Sequence, residues 1–115
     1  MSIVLVTTDL MASSKVAPVA SGLGVPFRAV GSPAAISEIT PPPKLIVLDL
    51  NSPLGDVSQV VATLKCLSPP PQVIAFGPHV HEAKLQAAVN AGCDAVFVRG
   101  QFHAQAAEIF RRFLG

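Results

Sequence analysis

The chain is 115 residues long, which corresponds to one domain and is enough to bury a single sizeable core. Half of the residues are hydrophobic and only 13% are charged, a balance that excludes intrinsic disorder. The net charge is +1, so the chain has neither the basic field that attracts nucleic acid nor an acidic tail for a basic partner. We therefore expect one globular domain over residues 1–115 that binds no nucleic acid.

The first part of the chain alternates predicted strands and helices. The apolar run 3–6 predicts a buried strand, and the apolar stripe over 16–23 predicts a helix. A weaker strand is predicted over 26–30. Ser32, which precedes a proline, has the pattern of an N-cap with proline in the first helical position. This pattern predicts a short helix over 32–36.

The second part of the chain contains three further predicted strands and three further predicted helices. Continuous apolar runs without alternation predict strands that are covered on both faces, at 45–48, 73–76 and 95–98. Apolar stripes with helical spacing predict helices at 56–64, 81–90 and 102–113. Asp56 with Gln59 three residues later resembles a capping box at the start of the first of these helices.

The order of elements is strand then helix, five times over. Because crossovers between parallel strands are right-handed, this order predicts a five-stranded parallel sheet with helices on both faces, an α/β sandwich of three layers. In such a sheet a functional site belongs at the carboxyl ends of the strands. The residues at those ends are Thr7, Thr8, Asp9, 49–53, Gly77, Pro78, Arg99 and Gly100.

Three segments together resemble the receiver domain of response regulators. Residues 45–53, LIVLDLNSP, are similar to the third strand of that family, which ends in the phosphoacceptor aspartate. Residues 73–77, VIAFG, and residues 91–95, AGCDA, are similar to its fourth strand and to the segment that enters its fifth strand. The resemblance extends over essentially the whole chain. It implies a flavodoxin-like (CheY-like) fold with five helices and the strand order 2-1-3-4-5.

The sequence also departs from the receiver pattern at most positions that carry phosphorylation chemistry. The resemblance places Asp49 at the phosphoacceptor position, but Thr7 and Thr8 stand where the family has its Mg²⁺-binding acidic pair, followed by Asp9. Gly77 stands at the position of the switch threonine or serine, and Arg99 at that of the lysine. These substitutions indicate a degenerate, or pseudo-receiver, variant.

The chemistry of these residues predicts weak metal binding. Mg²⁺ prefers oxygen ligands that include one or two carboxylates, and only Asp49 and Asp9 are available at the strand ends. Gly77 has no hydroxyl with which to report a phosphoryl group. One hypothesis is that Arg99 pairs with Asp49 and occupies the space of a metal, since a guanidinium binds a carboxylate in bidentate fashion. The alternative is that Arg99 points to solvent.

Other polar residues have local interpretations. Asp9 either caps the first helix or touches a metal, and Asp94 is expected to bond local backbone in the turn before the fifth strand. His79 and His81 are interpreted as surface residues, because a metal site there would need the distant His103 and Cys93 as further ligands.

The cysteines and the absence of targeting signals bear on location. Cys66 and Cys93 share no close-spaced motif and are predicted to be buried free thiols, which fits a reducing compartment. No signal peptide is visible, and no apolar run approaches the ~18 residues of a membrane span. We expect a cytoplasmic protein without a membrane contact.

Two functions of different class follow from these residues. The leading hypothesis is a stand-alone, non-enzymatic signalling module without a cofactor, which is not switched by Mg²⁺-dependent phosphorylation and acts through protein contacts. The partner would be a histidine kinase, an output protein or a second copy in a homodimer. By resemblance, the interaction face would contain Lys84, Val98, Gln101, His103 and Arg111.

The alternative is a working response-regulator receiver that accepts a phosphoryl group on Asp49 in a two-component phosphorelay, with weak Mg²⁺ binding by Asp49 and Asp9. A third possibility is small-molecule binding at the same strand ends, although the loops are short and poor in aromatic residues.

Overall fold

Five parallel strands form the sheet of the computed structural model, which describes residues 2–114. Their spatial order is β2-β1-β3-β4-β5, so the predicted order 2-1-3-4-5 and the flavodoxin-like α/β class are confirmed. The strands are β1 (Ile3–Val6), β2 (Phe27–Val30), β3 (Leu45–Asp49), β4 (Gln72–Gly77) and β5 (Ala95–Val98).

Residues 2–114 contain six helical segments, four between the strands and two after β5, where the sequence predicted five. They are α1 (Leu10–Gly22), a 3-10 helix (Pro33–Glu38), α2 (Val57–Lys65), α3 (Glu82–Asn90), α4 (Arg99–Ala104) and α5 (Ala106–Leu114). The extra helix arises in the last predicted helix, which begins earlier than expected and is interrupted at Gln105. Gln105 has φ −116°, far from the helical value of about −63°, and this one residue separates α4 from α5.

Two separate cores cover the two faces of the sheet, which confirms the predicted three-layer sandwich. Alternate strand residues, represented by Leu5, Val47 and Phe76, pack against α1, α4 and α5. The intervening residues, represented by Val6 and Leu48, pack against the 3-10 helix, α2 and α3. Because β1, β3 and β4 are central and covered on both faces, their residues form unbroken apolar runs.

The edge strands are only partly covered. The sequence predicted that β5 is buried on both faces, as β1, β3 and β4 are, and this prediction is wrong. Residues 95–97 are half-buried, and Val98 is exposed. The position at the edge of the sheet explains the difference, because β5 pairs with β4 alone.

Aspartate side chains cap two of the helices. Asp9 accepts a hydrogen bond of 2.9 Å from the Met11 N–H at the start of α1. Asp56 accepts one of 2.9 Å from the Ser58 N–H, so the predicted N-cap is confirmed. A capping box would use the N–H of Gln59 instead, so that part of the prediction is not confirmed. Ser32 does precede a helix with proline in its first turn, but its side chain makes no capping bond and the helix is of the 3-10 type.

Two further predictions are wrong, the local bond of Asp94 and the burial of the cysteines. Asp94 does not bond its own turn. Its Oδ2 accepts the Val73 N–H of β4 at 2.8 Å and pairs with Lys65 of α2. Both cysteines are free as predicted, but Cys66 is exposed and Cys93 is only half-buried. Burial nonetheless raises the pKa of the Cys93 thiol to about 11, with the Asp94 charge as a second cause.

The parallel strands deliver the predicted site residues to one end of the sheet. Asp49 is the last residue of β3 and lies opposite Phe76 in β4. Thr7 directly follows β1, and Arg99 directly follows β5. Within residues 2–114, no helix has the length and apolar character needed to cross a membrane.

Candidate functional site

Asp49 is a buried carboxylate whose oxygens accept hydrogen bonds from the chain itself. The residue is 4% exposed. The Thr7 hydroxyl donates to Oδ2 at 2.7 Å, and the Ser52 hydroxyl donates to the same oxygen at 3.2 Å. The backbone N–H of Asn51 donates to Oδ1 at 3.0 Å. Burial of a carboxylate is costly unless such donors satisfy it, and here they are supplied by the ends of β1 and β3.

Three hydroxyl side chains, those of Thr7, Thr8 and Ser52, form a connected network that we call the hydroxyl cluster. The Ser52 oxygen accepts the Thr8 N–H at 2.9 Å and the Thr8 hydroxyl at 3.3 Å. The Thr7 oxygen accepts the Asp9 N–H at 3.0 Å. The cluster therefore ties the loop after β1 to the loop after β3 through Asp49.

Ser52 is a site residue that the sequence reasoning missed. It was predicted only as part of the segment 49–53, yet it is 7% exposed and bonds both Asp49 and Thr8. The available signal was a small hydroxyl residue three positions after the aspartate, where a turn brings its side chain back to the carboxylate. The hydrogen bond of 3.0 Å from the Ser52 N–H to the Asp49 carbonyl closes that turn.

The donor set at this position does not fit Mg²⁺. The ion requires near-octahedral oxygen coordination and is usually held through one or two carboxylates. Asp49 is the one buried carboxylate among the described residues, and its oxygens already accept three hydrogen bonds. Asp9 is exposed and caps α1. Across residues 2–114, no three His, Cys, Asp or Glu side chains are grouped so that they could hold a metal ion, and this includes His79, His81, His103 and Cys93.

A pocket of about 240 Å³ opens beside Asp49 on the α1 side of the sheet, and we call it the Asp49 pocket. Its walls bring together the three charged residues that the sequence placed at the strand ends, Asp9, Asp49 and Arg99, and two titratable residues that it did not place there, Lys15 and His103. The lining residues are Asp9, Met11, Ala12, Lys15, Asp49, Phe76, Arg99 and His103.

The predicted ion pair between Arg99 and Asp49 is not formed. Among the described residues the one salt bridge joins Lys65 and Asp94, at the opposite end of the sheet. Arg99 is exposed and lines the pocket without bonding the carboxylate. The physical reason is that Thr7, Ser52 and the Asn51 amide already satisfy Asp49, so little is gained by ordering a long guanidinium side chain over it.

His103 belongs to this pocket and not to a flat outer surface. Its ring packs edge-on against Phe76 and Phe102, with centroid distances of 5.5 and 5.3 Å. Burial lowers the pKa of His103 below its usual 6.5, and the charges of Lys15 and Arg99 lower it further. The carboxylates of Asp49 and Asp9 oppose this shift. We call Lys15, Arg99 and His103 the basic cluster.

Gly77 is buried, and its missing side chain is matched by its surroundings. A Cβ built there would lie 3.2 Å from the Leu50 Cβ and 3.5 Å from Leu85 Cδ2. A methyl-sized group at this position would already be crowded, since 3.2 Å is tighter than most real Cβ contacts. Leu50 and Leu85 thus pack against the position that a side chain at residue 77 would occupy.

Of the residues predicted to form one interaction face, those that line cavities line different ones. Val98 and Gln101 line an open groove of about 640 Å³ between α3 and β5, which we call the α3–β5 groove. Lys84 lies on the other side of α3 beside the loop after β3, and Arg111 is exposed on α5. The groove also carries Val89, which is exposed.

Comparisons with known proteins identify the fold through solved structures. No protein-family model matches the sequence, and no curated protein matches it either. A response-regulator signal receiver domain from Bermanella marisrubri is 19% identical, with a TM-score of 0.81 and 100% coverage of both chains. The receiver domain of NtrX from Brucella abortus is 20% identical, with a TM-score of 0.79 and 98% coverage of both chains.

A third structure, the BeF3-activated DrrB receiver domain, is 18% identical, with a TM-score of 0.81 and coverage of 98% of this chain and 96% of that one. The fold of the chain is therefore that of response-regulator receiver domains. Asp49 stands at the carboxyl end of the central strand β3, at the edge of the sheet to which the resemblance assigns the phosphoacceptor.

Proposed function

We propose that this protein is a receiver-like signalling module in which side-chain hydroxyls, and not Mg²⁺, hold the acceptor-position aspartate. The observation that carries the proposal is the set of three hydrogen bonds to Asp49 from Thr7, Ser52 and the Asn51 amide. In this proposal the module is not switched by conventional Mg²⁺-dependent phosphorylation, catalyses no reaction and acts through protein contacts.

The hydroxyl cluster explains why phosphoryl transfer to Asp49 would be disfavoured. An attacking carboxylate oxygen needs access to the donor, and the negative charges that meet need to be neutralised. Oδ2 is engaged by two hydroxyls and Oδ1 by a backbone amide, and the residue is 4% exposed. A phosphoryl group would have to displace these donors, and no hydroxyl at position 77 would then report it.

Protein contact is proposed through the α3–β5 groove. Val89 and Val98 leave 54% and 36% of their surface exposed beside it, and burial of such surface favours association. The proposed occupant is a second copy of the chain, because only 13% of the residues are charged and a two-fold contact would cover this apolar patch on both copies. A light-scattering series across concentration should detect dimers that the Val98→Glu variant does not form. Monomer at all concentrations of the unmodified chain would contradict this part of the proposal.

The first test of the site is an amide NMR titration with Mg²⁺ and then with beryllofluoride, the reagent with which the DrrB receiver domain was activated. We expect no saturable shifts near Asp49 in either step. The matched variant Thr7→Asp/Thr8→Asp restores two carboxylates beside Asp49 and should gain a Mg²⁺ response. Shifts in the unmodified chain that spread from Asp49 to Gly77 and α5 would refute the proposal.

The alternative, a working phosphoacceptor, is favoured by one observation. Lys15 and Arg99 line the pocket beside Asp49 and could neutralise an incoming phosphoryl group without a metal. Incubation with acetyl phosphate followed by intact-mass measurement tests it directly. A mass gain of one phosphoryl group that is absent in Asp49→Asn would support the alternative, and an unchanged mass would exclude this donor chemistry.

The partner and the compartment are also proposals. A histidine kinase or an output protein remains the proposed class of hetero-partner. Cys66 is exposed and unpaired and Cys93 is unpaired, which fits the reducing conditions of the cytoplasm.

A further inference from the structure

The Asp49 pocket contains carboxylates that accept hydrogen bonds from the chain and basic side chains that make none with it. The formal charges of Asp9, Asp49, Lys15 and Arg99 cancel, so hydrogen bonding decides what the pocket can bind. Asp49 accepts three hydrogen bonds from the chain, and Asp9 accepts the Met11 N–H as the cap of α1. Both carboxylates therefore have partners before any ligand arrives.

The basic cluster has no such partners. Within the part of the chain that the structure describes, the Lys15 ammonium, the Arg99 guanidinium and the His103 imidazole make no hydrogen bond or salt bridge. Their side chains line one cavity of about 240 Å³. Three kinds of N–H donor thus line the same small volume without a protein acceptor.

The effect on His103 is a second sign that Lys15 and Arg99 face one volume, although Asp49 and Asp9 act on the same ring in the opposite direction. Lys15 lies on α1 and Arg99 at the end of β5, yet both lower the pKa of the same imidazole. Phe76 and Met11 contribute apolar walls beside these charges.

We propose that the basic cluster binds a phosphate group, as inorganic phosphate or as the phosphate of a small monoester, without covalent attachment to Asp49. A guanidinium fork alone would satisfy the two oxygens of a carboxylate. Three separate donor side chains fit the larger number of oxygens of a tetrahedral anion, and phosphate carries more than one negative charge at neutral pH. The inference rests on the proposed function in one respect, because an aspartyl phosphate on Asp49 would occupy the same space.

The charges at this end of the sheet are arranged differently from those that the resemblance to receiver domains implies. The family places a cation between carboxylates at this end of the sheet, whereas here the carboxylates are satisfied by hydroxyls and the surrounding groups are cationic. The preferred ligand therefore has the opposite charge, and is an anion instead of a metal ion. Binding would draw Arg99, Lys15 and His103 together and thereby connect α1 to the start of α4.

The test is an NMR titration of the full chain with inorganic phosphate at constant ionic strength, without Mg²⁺ and without a phosphoryl donor. We expect saturable shifts of the His103 ring signals and a rise in the His103 pKa, because the bound anion stabilises the imidazolium. The groups that face this ring are Lys15, Arg99, Asp49 and Asp9. Acetate serves as the carboxylate probe and should bind more weakly than phosphate.

Variants decide whether the response belongs to the cluster. Arg99→Gln and Lys15→Gln should each weaken phosphate binding about tenfold, the effect of one lost charge-assisted hydrogen bond. Arg111→Gln, which removes an exposed charge on α5 outside the pocket, is the matched control and should bind as the unmodified chain does.

Three outcomes would overturn the inference: shifts that chloride reproduces at equal ionic strength, equal affinity in Arg99→Gln and Arg111→Gln, or tighter binding of acetate than of phosphate. None of them bears on the Mg²⁺ and beryllofluoride titrations. A failure of the anion site is therefore distinguishable from a failure of the proposed function.

Discussion

The hydroxyl cluster and the basic cluster lie on two sides of the same carboxylate and differ in almost every physical respect. Thr7 and Ser52 are buried and bonded to Asp49, whereas Lys15 and Arg99 are exposed and bonded to no described residue. The side chains of the hydroxyl cluster are short and uncharged, and they lie in two loops. The basic cluster consists of long cationic side chains, with a histidine held by aromatic rings.

The difference indicates that one cluster stabilises the fold and the other is available to bind a ligand. Short hydroxyls lose little side-chain entropy on ordering and satisfy a buried carboxylate, so they contribute to the stability of the fold. Long exposed cations contribute little to stability and remain free to bind a ligand. The comparison therefore predicts large stability effects for the buried hydroxyls that bond Asp49, those of Thr7 and Ser52, and small ones in the basic cluster.

The largest effect is expected for Thr7→Val, which keeps the shape of the side chain and removes the 2.7 Å hydrogen bond to Asp49. Hydrogen bonds to charged groups contribute about 1.5–3 kcal/mol, and we expect a loss of that size in the free energy of unfolding by urea. Thr8→Val is the matched control, because Thr8 is exposed and its hydroxyl makes one bond of 3.3 Å to Ser52. Its loss should be within about 0.5 kcal/mol. Equal effects of the two variants would refute the proposed role of Thr7.

The sequence predicted those features that have local causes and missed those that depend on tertiary structure. The central strands could be predicted because residues covered on both faces give unbroken apolar runs, as in β3. The incomplete burial of β5 could not, because it depends on which strand becomes the edge of the sheet. The break at Gln105 also escaped prediction, since the apolar stripe of the last segment continues across it.

In the site, the sequence predicted where the residues lie better than it predicted which residues they bond. Asp49, Thr7 and Arg99 lie at the strand ends where a parallel sheet must place them. Their bonds depend on distances across loops, so the partner of Asp49 proved to be Thr7 and not Arg99. His103 was assigned to an outer face because nothing local indicates that its ring packs on Phe76 and Phe102.

A smaller effect, confined to mildly acidic pH, is expected from His103. Its pKa is lowered in the folded state, chiefly by burial and then by Lys15 and Arg99, below the usual 6.5. The neutral ring is therefore favoured by folding. Its contribution is fully present above about pH 6.5 and is lost as the pH falls through the folded-state pKa.

The measurement is the melting temperature of the unmodified chain and of His103→Gln across this pH range, in a buffer free of phosphate. The variant should lose less stability on acidification than the unmodified chain does. His79→Gln, at an exposed position in the loop after β4, is the control and should follow the unmodified chain. Parallel curves for His103→Gln and the unmodified chain would rule out this contribution.

The smallest effect is expected for Arg99→Gln, and it separates the two clusters most sharply. An ion pair with a buried carboxylate would make this substitution strongly destabilising, because breaking such a pair leaves an uncompensated charge. The structure has no such pair, and Arg99 is exposed, so the melting temperature in phosphate-free buffer should stay close to that of the unmodified chain. Added phosphate should raise the melting temperature of the unmodified chain more than that of the variant, since a ligand stabilises the state that binds it. A large loss of stability without phosphate would restore the Arg99–Asp49 pair as a structural element and remove the distinction between a stabilising hydroxyl cluster and a ligand-binding basic cluster.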